Sequence, residues 1–477
     1  VETDEGSPAA EPDNSQPADQ GLTTDISSRR ILSLAVPALG ALVIEPLLLF
    51  IDSVMVGSLG TAPLAGLSLA STILTTLVGV FVFLAYATTA LAARAVGAGK
   101  PKEGVQAGID AMWLATGIGV VVVTVLILTA PSIVRFMGAD AEVFPQAVAY
   151  LQGGAFGMLP MLIILAATGT LRGVLDMKTP LYVLAAGSVV NVGLNLILIF
   201  GLKLGILGAG IGLSVTQTLM CLAMVTVVIH RARPLGVSFR PSFTGLQGSF
   251  GAGLPLLIRT ISLRVALLAT VAIATQAGVL ALAGHQVVNT VWTMAAFALD
   301  ALAIAAQSLV GVSLGSGNQR VLRALVRKMA VWGAASAAVL GLVVLLGSPW
   351  IPLAFGTDPG MHSVARGALI AAGVMMPIAG VVFLLDGVLI GASQGRYLAW
   401  SGLLTLALYL PTLWALHLWI NQMLTVDGGA TPSLSTGQQG QVLMWLWIAF
   451  AGWFMLLRAV MNAWRAFSKK LAQGTTV

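Results

Sequence analysis

The sequence predicts an all-α polytopic membrane protein of twelve transmembrane helices in two lobes. Three observations carry the prediction. Of 477 residues, 57% are hydrophobic and only 9% charged, against roughly 25% charged residues in an ordinary soluble domain. Apolar runs of about 20 residues, each long enough to cross a bilayer, recur along the whole chain. The pattern of those runs also repeats itself once, about half-way along.

Polar punctuation sets the spans in order at about 31–56, 63–97, 105–129, 143–172, 180–201, 205–230, 250–275, 281–315, 322–346, 360–392, 396–420 and 440–466. Each is a helix because lipid offers no hydrogen bonds and the backbone must satisfy itself. The first follows Arg29 and Arg30 and carries Pro37 and Pro46; the second closes at "VGAGK" (96–100). The third and fourth are bounded by Pro131, Gly138 and Asp140, and then by "LRGVLDMKTP". The fifth and sixth turn over at "FGLKLG" and stop at Arg231; the polar stretch "RARPLGVSFRPSFTG" (231–245) separates them from the seventh. The eighth closes at "LGSGN" (314–318), the ninth before Pro349, the tenth at "GASQGR" and the last before Lys469 and Lys470. Fifty-four glycines and twenty prolines suit closely packed membrane helices.

Orientation follows from the basic residues. With the N-terminus inside, the inner segments collect 18 of the 24 lysines and arginines and the outer ones hold only Arg135, Lys203 and Arg366, which places both termini in the cytoplasm. The same distribution argues against nucleic acid as a partner. Residues 1–27 read as a disordered acidic tail without the basic and apolar regions of a signal peptide. The expected division is an N-lobe at 28–230, a cytoplasmic linker at 231–248, a C-lobe at 249–468 and a tail at 469–477. Cys221 is the single cysteine, so no internal disulfide forms, and no His or Cys grouping has metal-ligand spacing.

Pro37 aligns with Pro255, an offset of 218 residues that then persists without gaps for about a hundred residues. "LGTAPLAG" (59–66) falls on "AGVLALAG" (277–284), Gly97 and Gly99 on Gly315 and Gly317, and Pro131, Gly138 and Asp140 on Pro349, Gly356 and Asp358. Turns match as well as apolar runs. Six spans per repeat is an even number, so the halves share orientation, an arrangement that puts substrate between them.

The motifs "IDSVMVGSLGTAPLAGLSLA", "LRGVLDMKTPLYV", "NVGLNLILIFGLKLGILGAGIG", "IRTISLR", "GHQVVNTVW", "LDALAIAAQSLVGVSLGSGN" and "LDGVLIGASQGRY" together resemble the multidrug and toxic compound extrusion family, in its DinF-type branch. The resemblance covers about residues 28–468. It implies two six-helix bundles, an N-lobe and a C-lobe, around a central cleft, and export of amphipathic, often cationic compounds in exchange for protons or sodium ions, with no enzyme activity and no cofactor. A monomer in the plasma membrane is the expected state. A related function of the wider superfamily, flipping a lipid-linked oligosaccharide, is the alternative; it needs cleft-facing cations for a diphosphate, and Arg259 and Arg264 are the candidates.

A carboxylate at mid-membrane costs about 2.5–3.5 kcal/mol on insertion scales and marks an ion pathway by default. Glu45, Asp52, Asp300 and Asp386 qualify. Glu45 and Asp52, seven residues apart, return to nearly one helix face, roughly 10 Å apart along the axis. Pro46 leaves the Leu42 carbonyl without its helical partner, so the helix is predisposed to bend beside Glu45. Asn191 and Asn195 are four apart and share a face. Counted by depth, Asp52 and Asn195 lie at one level, as do Glu45, Asn191 and Gln217. The resemblance implies that this cluster binds the coupling cation, with Asp52 and Asn191 at matching family positions. Asn195 stands where the family usually has Asp, which removes an anionic ligand and favours protons over sodium, with Glu45 in compensation. The alternative for Asp52 and Asn191 is a hydrogen-bond network that only fixes packing.

In the C-lobe, depth places Arg259 near Asp386 and Arg264 nearer Asp300, as ion pairs that brace the lobe. The offset puts Asp52 on Thr270 and Glu45 on Leu263, so the lobes differ in chemistry. His285, with Gln286 and Asn289, reads as a satisfied polar residue and not a proton relay. The glycines of "VGAGK" and "LGSGN" read as helix C-caps and not as a phosphate loop.

Overall fold

The computed structural model describes residues 27–426 and 433–471; apart from Ser27, the acidic tail lies outside them, as do residues 472–477. Eleven helices long and apolar enough to cross a membrane, and one pair bent by 49°, make twelve spans among the described residues. They are α1 (Ser28–Gly57), α2 (Thr61–Gly97), α3 (Pro101–Phe136), the bent α4 (Val143–Ala155 and Met158–Gly173), α5 (Lys178–Gly201) and α6 (Gly205–Leu235). The second six are α7 (Phe243–Ala277), α8 (Val279–Gly315), α9 (Gln319–Gly347), α10 (Pro359–Gly391), α11 (Gly395–Thr425) and α12 (Thr436–Ala466).

Most helices outrun the expected spans at their polar ends. One of them, α7, begins at Phe243, so the connecting segment expected over 231–248 is irregular only at 236–242. The cause is local capping: Ser242 Oγ accepts from the Gly245 amide at 3.0 Å, and the Ser242 amide donates to Asp110 of α3 at 3.3 Å. A capped polar turn carries no hydropathy signal. α1 runs as one helix through both Pro37 and Pro46, so the backbone weakness at Pro46 does not break it in this state.

The repeat is written into the turns. Backbone φ is positive at Gly60 (129°) and Gly278 (123°), at Gly99 (71°) and Gly317 (70°), and at Leu175 (62°) and Ser393 (56°), each pair at the 218-residue offset. Gly99 and Gly317 end their helices in the left-handed conformation that C-caps use. The Leu175 and Ser393 pair carries the correspondence well beyond the stretch legible in the sequence.

The two bundles meet at the end where the basic loops cluster. A Cβ at Gly97 would come within 2.0 Å of the Val312 carbonyl oxygen, and one at Gly315 within 2.0 Å of that of Arg94. These repeat-equivalent glycines let α2 and α8 cross backbone to backbone. Gln307 Nε2 of α8 adds a hydrogen bond to the Tyr86 carbonyl of α2 at 2.7 Å. Because the obstructing atoms are backbone, Gly97→Ala or Gly315→Ala is expected to force the lobes apart at this end. In a Cys221→Ala background, spin labels at Lys100→Cys and Gln319→Cys then report a longer, broader distance distribution; an unchanged one contradicts the role of the crossing.

Candidate functional site

The first bundle holds a narrow cavity of about 70 Å³ whose wall includes Glu45, Asp52, Ser71, Thr75, Tyr150 and Gln217. It has room for water or one ion, not for an organic molecule. Asp52 is buried and Glu45 exposed, so one face of α1 runs from the mouth of the cavity into it, as their spacing of seven requires.

Asp52 ends a directional chain of hydrogen bonds. Asn195 Nδ2 donates to Asp52 Oδ1 at 2.8 Å and to Asn191 Oδ1 at 3.1 Å, and Asn191 Nδ2 donates to Thr216 Oγ1 at 3.3 Å. Asn191 and Asn195 are both fully buried. In this arrangement the Asn195 amide nitrogen faces the carboxylate and its oxygen faces α6, where Gly212 makes room. Asn195 Oδ1 and Gln217 Oε1 are buried acceptors with no donor among the described residues. Buried acceptors left this way are uncommon and call for a reason. Immediately after Asn195 the backbone passes into a π-helical stretch, Leu196–Gly201, a rewinding frequent at functional sites that side-chain pattern does not reveal.

At the equivalent C-lobe positions the chemistry is neutral. Thr270, on which Asp52 falls, shares a 2.8 Å hydrogen bond with Tyr409, on which Asn191 falls. The same place in the fold is closed there by a buried hydroxyl pair.

The C-lobe charges form a different group. Asp386 accepts from Arg259 Nη2 at 2.5 Å, from Arg458 and from Asn462 Nδ2 at 2.7 Å. Among the described residues Arg259, Asp386, Arg172 and Arg458 act on Asp300 electrostatically, and Asp300 acts in turn on the Tyr86 hydroxyl. Arg172 and Tyr86 belong to the first bundle, so Asp300 feels charge from both lobes. Sequence reasoning missed the parts of Arg172, Arg458 and Asn462; a buried arginine inside α12 with Asn462 one turn on was the available signal.

Two expectations need correction. Arg264 does not pair with Asp300: it makes no ion pair or hydrogen bond among the described residues. Five residues along a helix is about 140° of rotation, so Arg259 and Arg264 cannot serve one network. His285 is not satisfied: it is buried, its Nδ1 has no partner among the described residues, and its ring sits 5.5 Å from that of Trp447. Gln286 beside it is exposed and Asn289 half-buried. A second cavity, of about 690 Å³, lies between α10, α11 and α12 with Trp419, Trp445 and Trp453 in its wall. It contains no titratable side chain and so offers nothing for coupling.

Comparison with known proteins adds the following. The MatE family model matches residues 37–197 and again 255–415, at the offset of the internal repeat. The chain is 29% identical over 404 residues to "Protein DETOXIFICATION 44, chloroplastic" of Arabidopsis thaliana, covering 82% of this chain and 76% of that one. It is 25% identical over 406 residues to "DNA damage-inducible protein F" of Escherichia coli (strain K12), covering 83% and 88%. Multidrug resistance protein MdtK of Edwardsiella ictaluri is 26% identical over 435 residues, covering 89% and 92%. The crystal structure of the Vibrio cholerae MATE transporter VcmN in the bent form superposes with a TM-score of 0.81 at 19% identity, over 96% of this chain and 98% of that one.

Proposed function

The chain belongs to the MatE family, and from that premise we propose that it is a secondary active antiporter exporting amphipathic organic compounds, among them cations, in exchange for protons. Membership makes it an integral membrane transporter of the multidrug and toxin efflux type, and not an enzyme. Both termini are taken to be cytoplasmic, so the Gly97–Gly315 crossing shuts the cleft on the cytoplasmic side.

The observation that supports protons is the orientation of Asn195. It presents its Nδ2, a donor, to Asp52, whereas a sodium ion bound between the two residues would need the amide oxygen turned inward beside further hard oxygens. A proton needs one carboxylate oxygen and an acceptor. Asp52 Oδ1 is engaged by Asn195, Oδ2 is free to take a proton, and the unpaired Gln217 Oε1 shares the cavity wall. Protonation removes the charge that the Asn195–Asn191–Thr216 chain is polarised to hold, and so changes how α1 packs against α5 and α6. That is the differential interaction between two states that coupling demands, since equal binding shifts nothing. Glu45, at the mouth and without a cationic partner among the described residues, is placed to receive the proton or the cationic end of cargo.

The flippase reading loses support. Asp386 takes up Arg259, leaving Arg264 as the one of its two candidate cations that stays unpaired, against a diphosphate. The test uses purified protein in liposomes with a pH gradient. Movement of ethidium across the membrane is the expected result; movement of a lipid-linked oligosaccharide with no effect on ethidium overturns the antiporter reading.

A further inference from the structure

Arg264 lies in the middle of α7 and is exposed, yet no carboxylate among the described residues pairs with it. An unpaired guanidinium at mid-membrane is expensive, and such residues mark substrate or ion pathways. Its surroundings show where it points. The guanidinium crosses to the other lobe and lies over Gly79 of α2, so close that a Cβ there would come within 2.3 Å of Nη2. Gly79 adjoins Val78, which with Thr75 and Glu45 lines the Asp52 cavity. The second lobe thus extends a bare cation to the rim of the first lobe's cavity.

The repeat sets the level. Glu45 falls on Leu263, the neighbour of Arg264, and one residue is a rise of about 1.5 Å. Glu45 and Arg264 therefore stand at one depth in the membrane, on helices of different lobes, with opposite charges. Neither has a charged partner among the described residues. Every other guanidinium of the C-lobe interior is committed: Arg259 and Arg458 both bind Asp386.

We propose that Arg264 anchors a carboxylate of the transported molecule, and that the preferred cargo is an amphipathic zwitterion whose acid group meets Arg264 while its amine faces Glu45. The inference rests on the transporter reading and narrows its cargo. A planar guanidinium matches a carboxylate in a paired, charge-assisted geometry that an ammonium does not reproduce. Gly79 is the complementary feature, because any larger residue there would occupy the space the guanidinium uses.

The experiment measures binding with no ion gradient, so it does not depend on coupling. The probes are Nε-dansyl-lysine, a zwitterion, and its methyl ester, which keeps the amine and loses the acid. Both are read by energy transfer from the tryptophans of the purified full chain in micelles. The wild type is expected to bind the zwitterion at least about tenfold tighter than the ester, a difference of about 1.4 kcal/mol. Arg264→Gln removes that preference with ester binding unchanged, and Arg264→Lys restores part of it. Equal binding of the two probes by the wild type, or a proportional loss of both in Arg264→Gln, overturns the proposal. Displacement of the zwitterion by phosphatidylglycerol only when Arg264 is present assigns the site to a lipid headgroup and also overturns it. If coupling through Asp52 is what fails instead, Asp52→Asn still drives transport while these affinities stand.

Discussion

Asp52→Asn is expected to abolish substrate-driven proton movement in liposomes while leaving the protein folded and able to bind cargo. The substitution is nearly isosteric. An Asn at 52 still offers a carbonyl oxygen to Asn195 Nδ2, which now donates to Asp52 at 2.8 Å, so the chain through Asn191 to Thr216 keeps its direction. What disappears is the group that gains and loses a proton. Exchange that depends on that event falls by at least about a hundredfold, a change of roughly 2.7 kcal/mol in the driving equilibrium. Glu45→Gln is expected to be milder, because Glu45 stands at the mouth and makes no hydrogen bond among the described residues. Full coupling in Asp52→Asn contradicts the assignment; so does loss of binding equal to loss of coupling, which would make Asp52 a packing residue.

Asp386→Asn is expected to have the largest effect on stability. The carboxylate holds two guanidiniums, Arg259 and Arg458, and an amide from Asn462. Neutralising it leaves two buried cations facing each other, and breaking such a buried pair costs about 3–5 kcal/mol. The melting temperature in detergent drops steeply as a result. A double variant, Asp386→Asn with Arg458→Met, removes one stranded charge with it and recovers part of the loss. A melting temperature within a degree or so of wild type would mean the network is not a brace.

The fold was legible because membrane helices advertise themselves. Hydropathy and basic loops located every span, and turns that matched at a constant offset disclosed the repeat. Depth was also legible, since rise per residue is constant: it brought Asn195 to the level of Asp52, and the i, i+4 spacing put Asn191 on the same face one turn away, at the level of Glu45. Rotation about the helix axis was not. Arg264 was assigned to Asp300 by depth, although five residues of rotation point it away from Arg259 and across to α2. The π-helical stretch after Asn195, the capped start of α7 at Ser242 and the unpaired Nδ1 of His285 share a cause: each depends on neighbouring helices or backbone geometry, neither of which leaves a mark in local composition. Arg172 and Arg458 were visible as charges but not as partners, because what joins them to Asp300 and Asp386 is tertiary packing across four helices.

The claim that the exchanged ion is a proton taken up at Asp52 is tested most directly by separating the two gradients. Liposomes containing the protein are loaded with ethidium and given either a pH gradient with sodium equal on both sides, or a sodium gradient at uniform pH. The account predicts transport driven by the pH gradient in wild type, none in Asp52→Asn, and no response to sodium in either. Transport driven by sodium at uniform pH, abolished by Asp52→Asn, would contradict it and make the Asp52–Asn195 pair a metal-ion site.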